Sequence, residues 1–136
     1  MANGSEAHSL PVRLDTVSKY YGAVTAVEDV SLDIAAGEFL TLLGPSGSGK
    51  TTILNILAGF IRLNSGRIFF GEDEVTLLPP HKRNVGLVFQ NYALFPHMTV
   101  AENVAFPLKA RKVPKSEIDA RVAWALGLVQ LDGFGS

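Results

Sequence analysis

Gly44-Pro45-Ser46-Gly47-Ser48-Gly49-Lys50-Thr51-Thr52 is the stretch on which the reading of this 136-residue sequence turns. It matches G-x-x-x-x-G-K-[ST] at every fixed position, a pattern whose residue types suit a nucleoside triphosphate. Glycines at 44, 47 and 49 admit backbone angles closed to residues with a Cβ and let the main chain approach phosphate oxygens closely. Amide groups from Gly47 to Thr52 then converge on the β-phosphate, helped by the partial positive charge at the start of the next helix. Lys50 adds a full charge for the β- and γ-phosphates, Thr51 offers a hydroxyl to Mg²⁺, and Thr52 reaches the α-phosphate. The bland alternative is an ordinary glycine-rich turn with an exposed lysine.

The flanks decide between the two. Phe39-Leu40-Thr41-Leu42-Leu43 is an apolar run broken only at Thr41, which predicts a strand buried on both faces of a parallel sheet. After the loop, Ile53, Leu54, Ile56, Leu57 and Phe60 recur at helical spacing, with Gly59 as the stop. Strand, glycine loop and helix stand in the required order. Val85 to Phe89 predicts a second buried strand ending at Gln90. An amide at the carboxyl end of a parallel strand lies where doubly wound sheets bind ligands. Gln90 either reaches a metal or water near the phosphates or satisfies backbone groups of a loop.

Composition sets the outer limits. Hydrophobic residues at 47% and charged ones at 18% describe a chain able to bury a core. A net charge of −1 gives no bulk electrostatic reason to expect nucleic acid or an anionic membrane as the main partner. With no cysteine, disulfides, thiolate metal sites and cysteine nucleophiles are excluded. Met1 to Ser9 is polar, lacks the apolar core of a signal peptide and is expected to be a loose tail. The uncharged span Val85 to Ala101 contains Gln90, Asn91, Pro96 and His97 and reads poorly as a membrane helix.

Elsewhere, Val12, Leu14 and Val17, then Val30, Leu32 and Ile34, predict two half-buried antiparallel strands, the second ending at a turn over Ala35-Ala36-Gly37. Between them, Lys19-Tyr20-Tyr21-Gly22 sets an aromatic pair before a glycine; spacing alone favours packing for both rings, with stacking on a ligand as the alternative. Asn64-Ser65-Gly66 predicts a turn and Arg67 to Phe70 a strand. Glu72-Asp73-Glu74 and His81-Lys82-Arg83 read as solvated loop charge, and three consecutive acidic residues rarely converge on a metal. Asn91 to Met98 is a loop more apolar than solvation requires, which suggests a docking surface. Thr99-Val100-Ala101-Glu102 predicts a capping box and a helix faltering at Pro107, and Ser116 with Asp119 predicts a second cap. The helix after it should bury Ile118, Val122, Ala125, Leu126 and Val129, pair Glu117 with Arg121 outside, and half-bury Trp124.

Taken together, Tyr21-Gly22, the Gly44–Thr52 loop and Val88-Phe89-Gln90-Asn91-Tyr92-Ala93-Leu94-Phe95-Pro96-His97-Met98-Thr99-Val100 resemble the ATP-binding subunit of ABC transporters. The likeness runs from Val12 onward and leans toward importer ATPases for spermidine/putrescine, ferric iron, molybdate and sugars, where a loop like Leu78-Pro79-Pro80-His81-Lys82-Arg83-Asn84 also occurs. The resemblance implies an α/β fold of the P-loop NTPase type, with an antiparallel β subdomain and the start of a helical one. It implies a tail over 1–9 and a partial ATP-binding domain over 10–136, divided into 10–98 and 99–136. ATP and Mg²⁺ are the implied cofactors. Tyr21 matches the aromatic that stacks on adenine, Gly44, Pro45, Ser46, Gly47, Ser48, Gly49, Lys50, Thr51 and Thr52 hold phosphates, and Gln90 joins Thr51 on Mg²⁺. Tyr92 to Met98 matches the surface receiving a transmembrane permease subunit, a second ATP-binding subunit is the other implied partner, no nucleic acid is expected, and the location is the cytoplasmic face of the membrane.

The departures from the family pattern matter as much. No Leu-Ser-Gly-Gly-Gln occurs, and Leu128-Val129-Gln130-Leu131-Asp132 is interrupted where four apolar residues should precede Asp-Glu. By the resemblance this is an amino-terminal fragment with no catalytic residue of its own, whose missing strands would lie between the two buried ones. The expectation is weak ATP binding, no hydrolysis and poor autonomous stability. Two other readings are a non-catalytic nucleotide-binding fragment and a soluble ABC-type ATPase acting on nucleic acid or the ribosome.

Overall fold

Alternating burial builds the first layer. The computed structural model describes residues 9–131 and 133, so most of the expected tail and the last residues lie outside the described part. Strand β1 (Val12–Tyr21) and strand β2 (Val24–Ile34) form the expected antiparallel hairpin, turning at Gly22 with φ 58°. The odd spacing from Leu14 to Val17 has a cause: β1 gains a residue against both neighbours, with Thr16 at φ 49°. That β-bulge keeps Leu14 and Val17 on one face although they stand three apart. Thr16 donates its amide to Ser31 Oγ at 3.0 Å.

The chain then crosses to helix α1 (Lys50–Ala58), which ends on Gly59 in the left-handed region as its apolar spacing predicts. Strand β3 (Ser65–Phe70) pairs with β1 and begins two residues earlier than the expected turn allowed. The turn is absorbed because Asn64 bonds to β1 directly, donating to the Ser18 carbonyl at 2.8 Å and accepting from the Tyr20 amide at 2.9 Å. Gly66, at φ 95°, faces the bulge so closely that a Cβ would stand 2.5 Å from the Thr16 carbonyl oxygen. The short strand β4 (Asp73–Glu74) completes the order β2-β1-β3-β4, turning part of the acidic cluster into an edge strand.

One face of this sheet is buried by α1: Leu14, Val17, Ile56, Ile68, Phe70 and Val75 form the core, flanked by Val12, Leu32, Ile53 and Leu57. The other face is polar. There Arg13 and Arg67 lie over the Phe69 ring and Arg67 pairs with Asp15 at 2.9 Å. The Thr16 hydroxyl and then Arg67 hold the Asp15 carboxyl below its usual value.

Two expectations fail here. Neither 39–43 nor 85–89 forms a strand, and Phe39, Leu43 and Val88 are 94%, 97% and 96% exposed. A strand exists through its ladder partners, and the sheet among the described residues consists of β2, β1, β3 and β4, with neither segment joined to it. Arg83 is not solvated charge: it is 6% exposed, and burial pulls its guanidinium below the usual arginine value.

Residues from Val88 onward group as a second unit, distinct from those up to Leu87. Helix α2 (Val100–Ala110) starts with the expected capping box between Thr99 and Glu102. It runs through Pro107 instead of stopping, losing one amide donor while Leu108 beyond the proline packs on the core. Helix α3 (Lys115–Leu128) starts one residue before Ser116, because Pro114 presents its carbonyl to the amides of Glu117 and Ile118 at 3.0 and 3.1 Å. Ile118, Val122 and Leu126 are buried with Ala105, and Glu117 pairs with Arg121. Val129, past the helix end, is 62% exposed, and Trp124 is 68% exposed instead of half-buried.

Candidate nucleotide-binding site

The loop before α1 has the backbone its glycines permit. Gly47 and Gly49 sit at φ 81° and 90°, and Gly49 is the residue from which α1 springs. A Cβ on Gly49 would stand 2.5 Å from the Ala26 carbonyl oxygen of β2, so the loop rests on the hairpin where only glycine fits. Gly47 faces open space, which leaves its side of the loop accessible. The first bond of α1 runs from the Ile53 amide to the Gly49 carbonyl at 2.9 Å. The amides at the very start of a helix have no partner inside it, so those from Lys50 to Thr52 are left for a ligand. Their dipoles favour an anion.

Lys50 closes the loop on itself. Its ammonium donates to the carbonyls of Gly44 and Pro45 at 2.8 and 2.6 Å and to Ser48 Oγ at 3.0 Å. All three donors are thereby used, and Ser48 is further fixed by donating its amide to the Pro45 carbonyl at 3.3 Å. A positive charge stands in the bowl of the loop, where a phosphate would replace two carbonyls and a hydroxyl as its partner. Thr51 is exposed and Thr52 half-buried. Pro45 and Ser46 form the exposed rim.

The other proposed residues stand elsewhere. Tyr21 ends β1 at 48% exposure with the Lys19 ammonium 4.9 Å from its ring centre, and Tyr20 is 36% exposed. Neither ring is therefore in the buried core that spacing favours, since both close β1 at the hairpin tip. Gln90 lies exposed in a turn of the second unit. In the same unit the loop expected to be a docking surface exposes Tyr92 and Leu94 at 82% and 68%, while the less exposed Phe95 has its ring centre 4.5 Å from that of Phe106. Tyr92 and Ala93 both take left-handed backbone. Asn103 of α2 pins the loop: it accepts from the Phe95 amide at 2.8 Å and donates to the carbonyls of Phe95, Met98 and Thr99.

Two contributors escape the sequence reading. Arg83 looked like its neighbours His81 and Lys82, and nothing in a single sequence marks which of three basic residues turns inward. Asn103 looked like a surface residue of α2, although it stands four residues after the N-cap, where a side chain reaches back toward the preceding loop. No helix among the described residues is long and apolar enough to cross a membrane.

A family model described as ABC transporter matches residues 27–135. The sulfate/thiosulfate import ATP-binding protein CysA 2 of Agrobacterium fabrum is 56% identical over 128 residues, covering 93% of this chain and 38% of that protein. The spermidine/putrescine import ATP-binding protein PotA of Clostridioides difficile is 54% identical, covering 90% and 35%. The Fe(3+) ions import ATP-binding protein FbpC of Fusobacterium nucleatum is 48% identical, covering 93% and 34%. The chain thus spans a little over a third of the length of these relatives. Among solved structures, the ATP-binding cassette MJ0796, in a dimeric post-hydrolysis state bound to ADP and Pi, aligns with TM-score 0.81 and 31% identity over 91% of this chain and 60% of that one. The fold is that of the ABC ATPases, and the chain belongs to the ABC transporter family.

Proposed function

We propose that this chain is the nucleotide-binding part of an energy-coupling subunit of an ABC importer, in which ATP binding and hydrolysis by the whole protein drive transport through a membrane partner. The observation that carries the reading is the loop itself: left-handed Gly47 and Gly49, α1 starting directly after them, and the Lys50 ammonium donating to carbonyls of the same loop. In this reading Gly44 to Thr52 wraps the phosphates and Lys50 exchanges its carbonyl partners for β- and γ-oxygens. Tyr21 stacks on the adenine, its ring accessible once Lys19 swings aside.

Mg²⁺ fits the residues present. It keeps most of its waters and takes only one or two protein oxygens beside those of phosphate, and the exposed Thr51 hydroxyl and Gln90 amide have that chemistry. When bound it neutralises charge on the phosphates. No carboxylate of this chain is assigned to activating water, so the 136 residues bind nucleotide without turning it over. Tyr92 to Met98 is the surface for a transmembrane permease subunit, its exposed Tyr92 and Leu94 facing that partner, and the protein works at the cytoplasmic face of the membrane. A second ATP-binding subunit completes the reactive site.

Titration of the chain with a fluorescent ATP analogue, with and without Mg²⁺, tests this. Saturable binding that weakens on Lys50→Ala is expected, with no phosphate release above that variant. Absence of saturable binding would overturn the nucleotide assignment, and release clearly above Lys50→Ala would overturn the inactivity of the chain.

A further inference from the structure

The buried arginine that the loop chemistry leaves unused has a geometry of its own. Arg83 donates from Nη1 to the carbonyls of Ile56 and Leu57 at 2.8 and 2.9 Å, in the last turn of α1. From Nη2 it donates to the Thr76 carbonyl at 3.1 Å and from Nε to the Leu78 carbonyl at 2.8 Å. A cation at the carboxyl end of a helix meets both the orphan carbonyls and the negative end of the dipole. The segment it ties them to is fixed to the sheet, since Val75 donates its amide to the Ile68 carbonyl at 2.8 Å and Thr76 Oγ1 accepts from the Ile68 amide at 2.9 Å. Arg83 therefore bolts the far end of α1 to β3.

The helix is short enough for this to matter at its other end. Nine residues span about 13 Å at 1.5 Å per residue, and the amino end is the phosphate loop. Gly59 makes the room: a Cβ there would stand 2.7 Å from Arg83 Nε and 3.0 Å from Cζ. We propose that Arg83 is a positioning residue for the phosphate loop, holding the carboxyl end of α1 so that its amino end stays aimed at the nucleotide, with Gly59 as the gap that admits it. The proposal rests on the nucleotide-binding reading for its functional consequence, though not for its geometry.

Two variants of the full chain test it. Arg83→Lys keeps the charge but, as a point donor, cannot span four carbonyls. Gly59→Asn tolerates the left-handed backbone of that position while its Cβ intrudes on the guanidinium. Amide hydrogen exchange is compared between Ile53 and Leu54, whose amides lie in the first bonded turn of α1, and amides of the β1–β3 ladder. Each variant is expected to speed exchange at Ile53 and Leu54 by about threefold or more, in the range for a residue acting through a neighbour, leaving the ladder unchanged. Each is expected to weaken binding of the fluorescent ATP analogue by a like factor, and the double variant no more than the worse single one. Uniform acceleration across helix and ladder, or unchanged exchange at Ile53 and Leu54, would reduce Arg83 to a general stabilising contact and overturn the proposal. Unchanged nucleotide affinity beside altered loop exchange would also overturn it. Failure of the unmodified chain to bind nucleotide would instead refute the nucleotide reading, while the exchange comparison still decides whether Arg83 orients the loop.

Discussion

Replacing Asn103 by alanine removes the four hydrogen bonds that hold Phe95 to Thr99 against α2. The carbonyls of that loop border solvent and rehydrate, so the bonds do not sum; the net loss is about 1–2 kcal/mol, one to two ordinary hydrogen bonds. In a locally opening loop that raises exchange of the Phe95 amide about 5- to 30-fold. Asn103→Asp is the sharper probe. It retains an acceptor for the Phe95 amide, now 2.8 Å from Oδ1, but turns an acceptor toward carbonyls 3.2, 3.2 and 3.0 Å away. That costs about 1–3 kcal/mol, more than the about 0.3–1 kcal/mol an acidic group gains near a helix amino end. Hydrogen exchange read residue by residue should show the Met98 amide, bonded to the Phe95 carbonyl at 3.1 Å, deprotected in both variants, and the Phe95 amide deprotected in the alanine variant alone. Wild-type protection of Phe95 in Asn103→Ala, or of Met98 in Asn103→Asp, would show that the side chain does not set the loop.

Three further outcomes are expected. Ile68→Ala empties a site with no solvent exposure at the centre of the sheet core and should cost about 2–5 kcal/mol, read by denaturant unfolding of the chain. Thr16 and Arg67 hold the folded Asp15 carboxyl below the usual aspartate value, so its stabilisation is present above that usual value and is lost as pH falls through the lower folded one; melting curves of Asp15→Asn should lack this part of the acid dependence. Phe39→Lys, at a position 94% exposed, should reduce concentration-dependent association in sedimentation, and an unchanged profile would show that this apolar segment is not what drives association.

What could be read in advance follows the range of the physics. The loop, α1 with its Gly59 stop and the Thr99 cap were legible because each is written in residues adjacent in sequence. The β1–β2 hairpin was legible through its alternation, and its bulge was visible only as an unexplained gap between Leu14 and Val17. Phe39 to Leu43 misled because an apolar run records what a strand needs, not whether a neighbour is there to pair with it. Arg83 misled for the opposite reason: its four carbonyl partners lie 5 to 27 residues away, a meeting no local pattern announces. At Pro107 the local penalty was read correctly and outweighed by the packing of the turn beyond it. Pro114 displaced Ser116 as helix start because a backbone carbonyl did the work assigned to a hydroxyl.

The Thr16 bulge and Gly66 press on each other across two strands, the glycine Cβ position lying within 2.7 Å of both the Asp15 and Thr16 carbonyl oxygens. A length and an identity are thereby tied together. Along the lineage that produced this chain, loss of the extra residue at 16 would leave Leu14 and Val17 two apart and still on one face, and would free position 66 to take a side chain, whereas a side chain at 66 with the bulge in place is damaging. Sequences that have replaced the glycine should be those that lack the extra residue, so the absence of an insertion in one strand can be inferred from a single position in another.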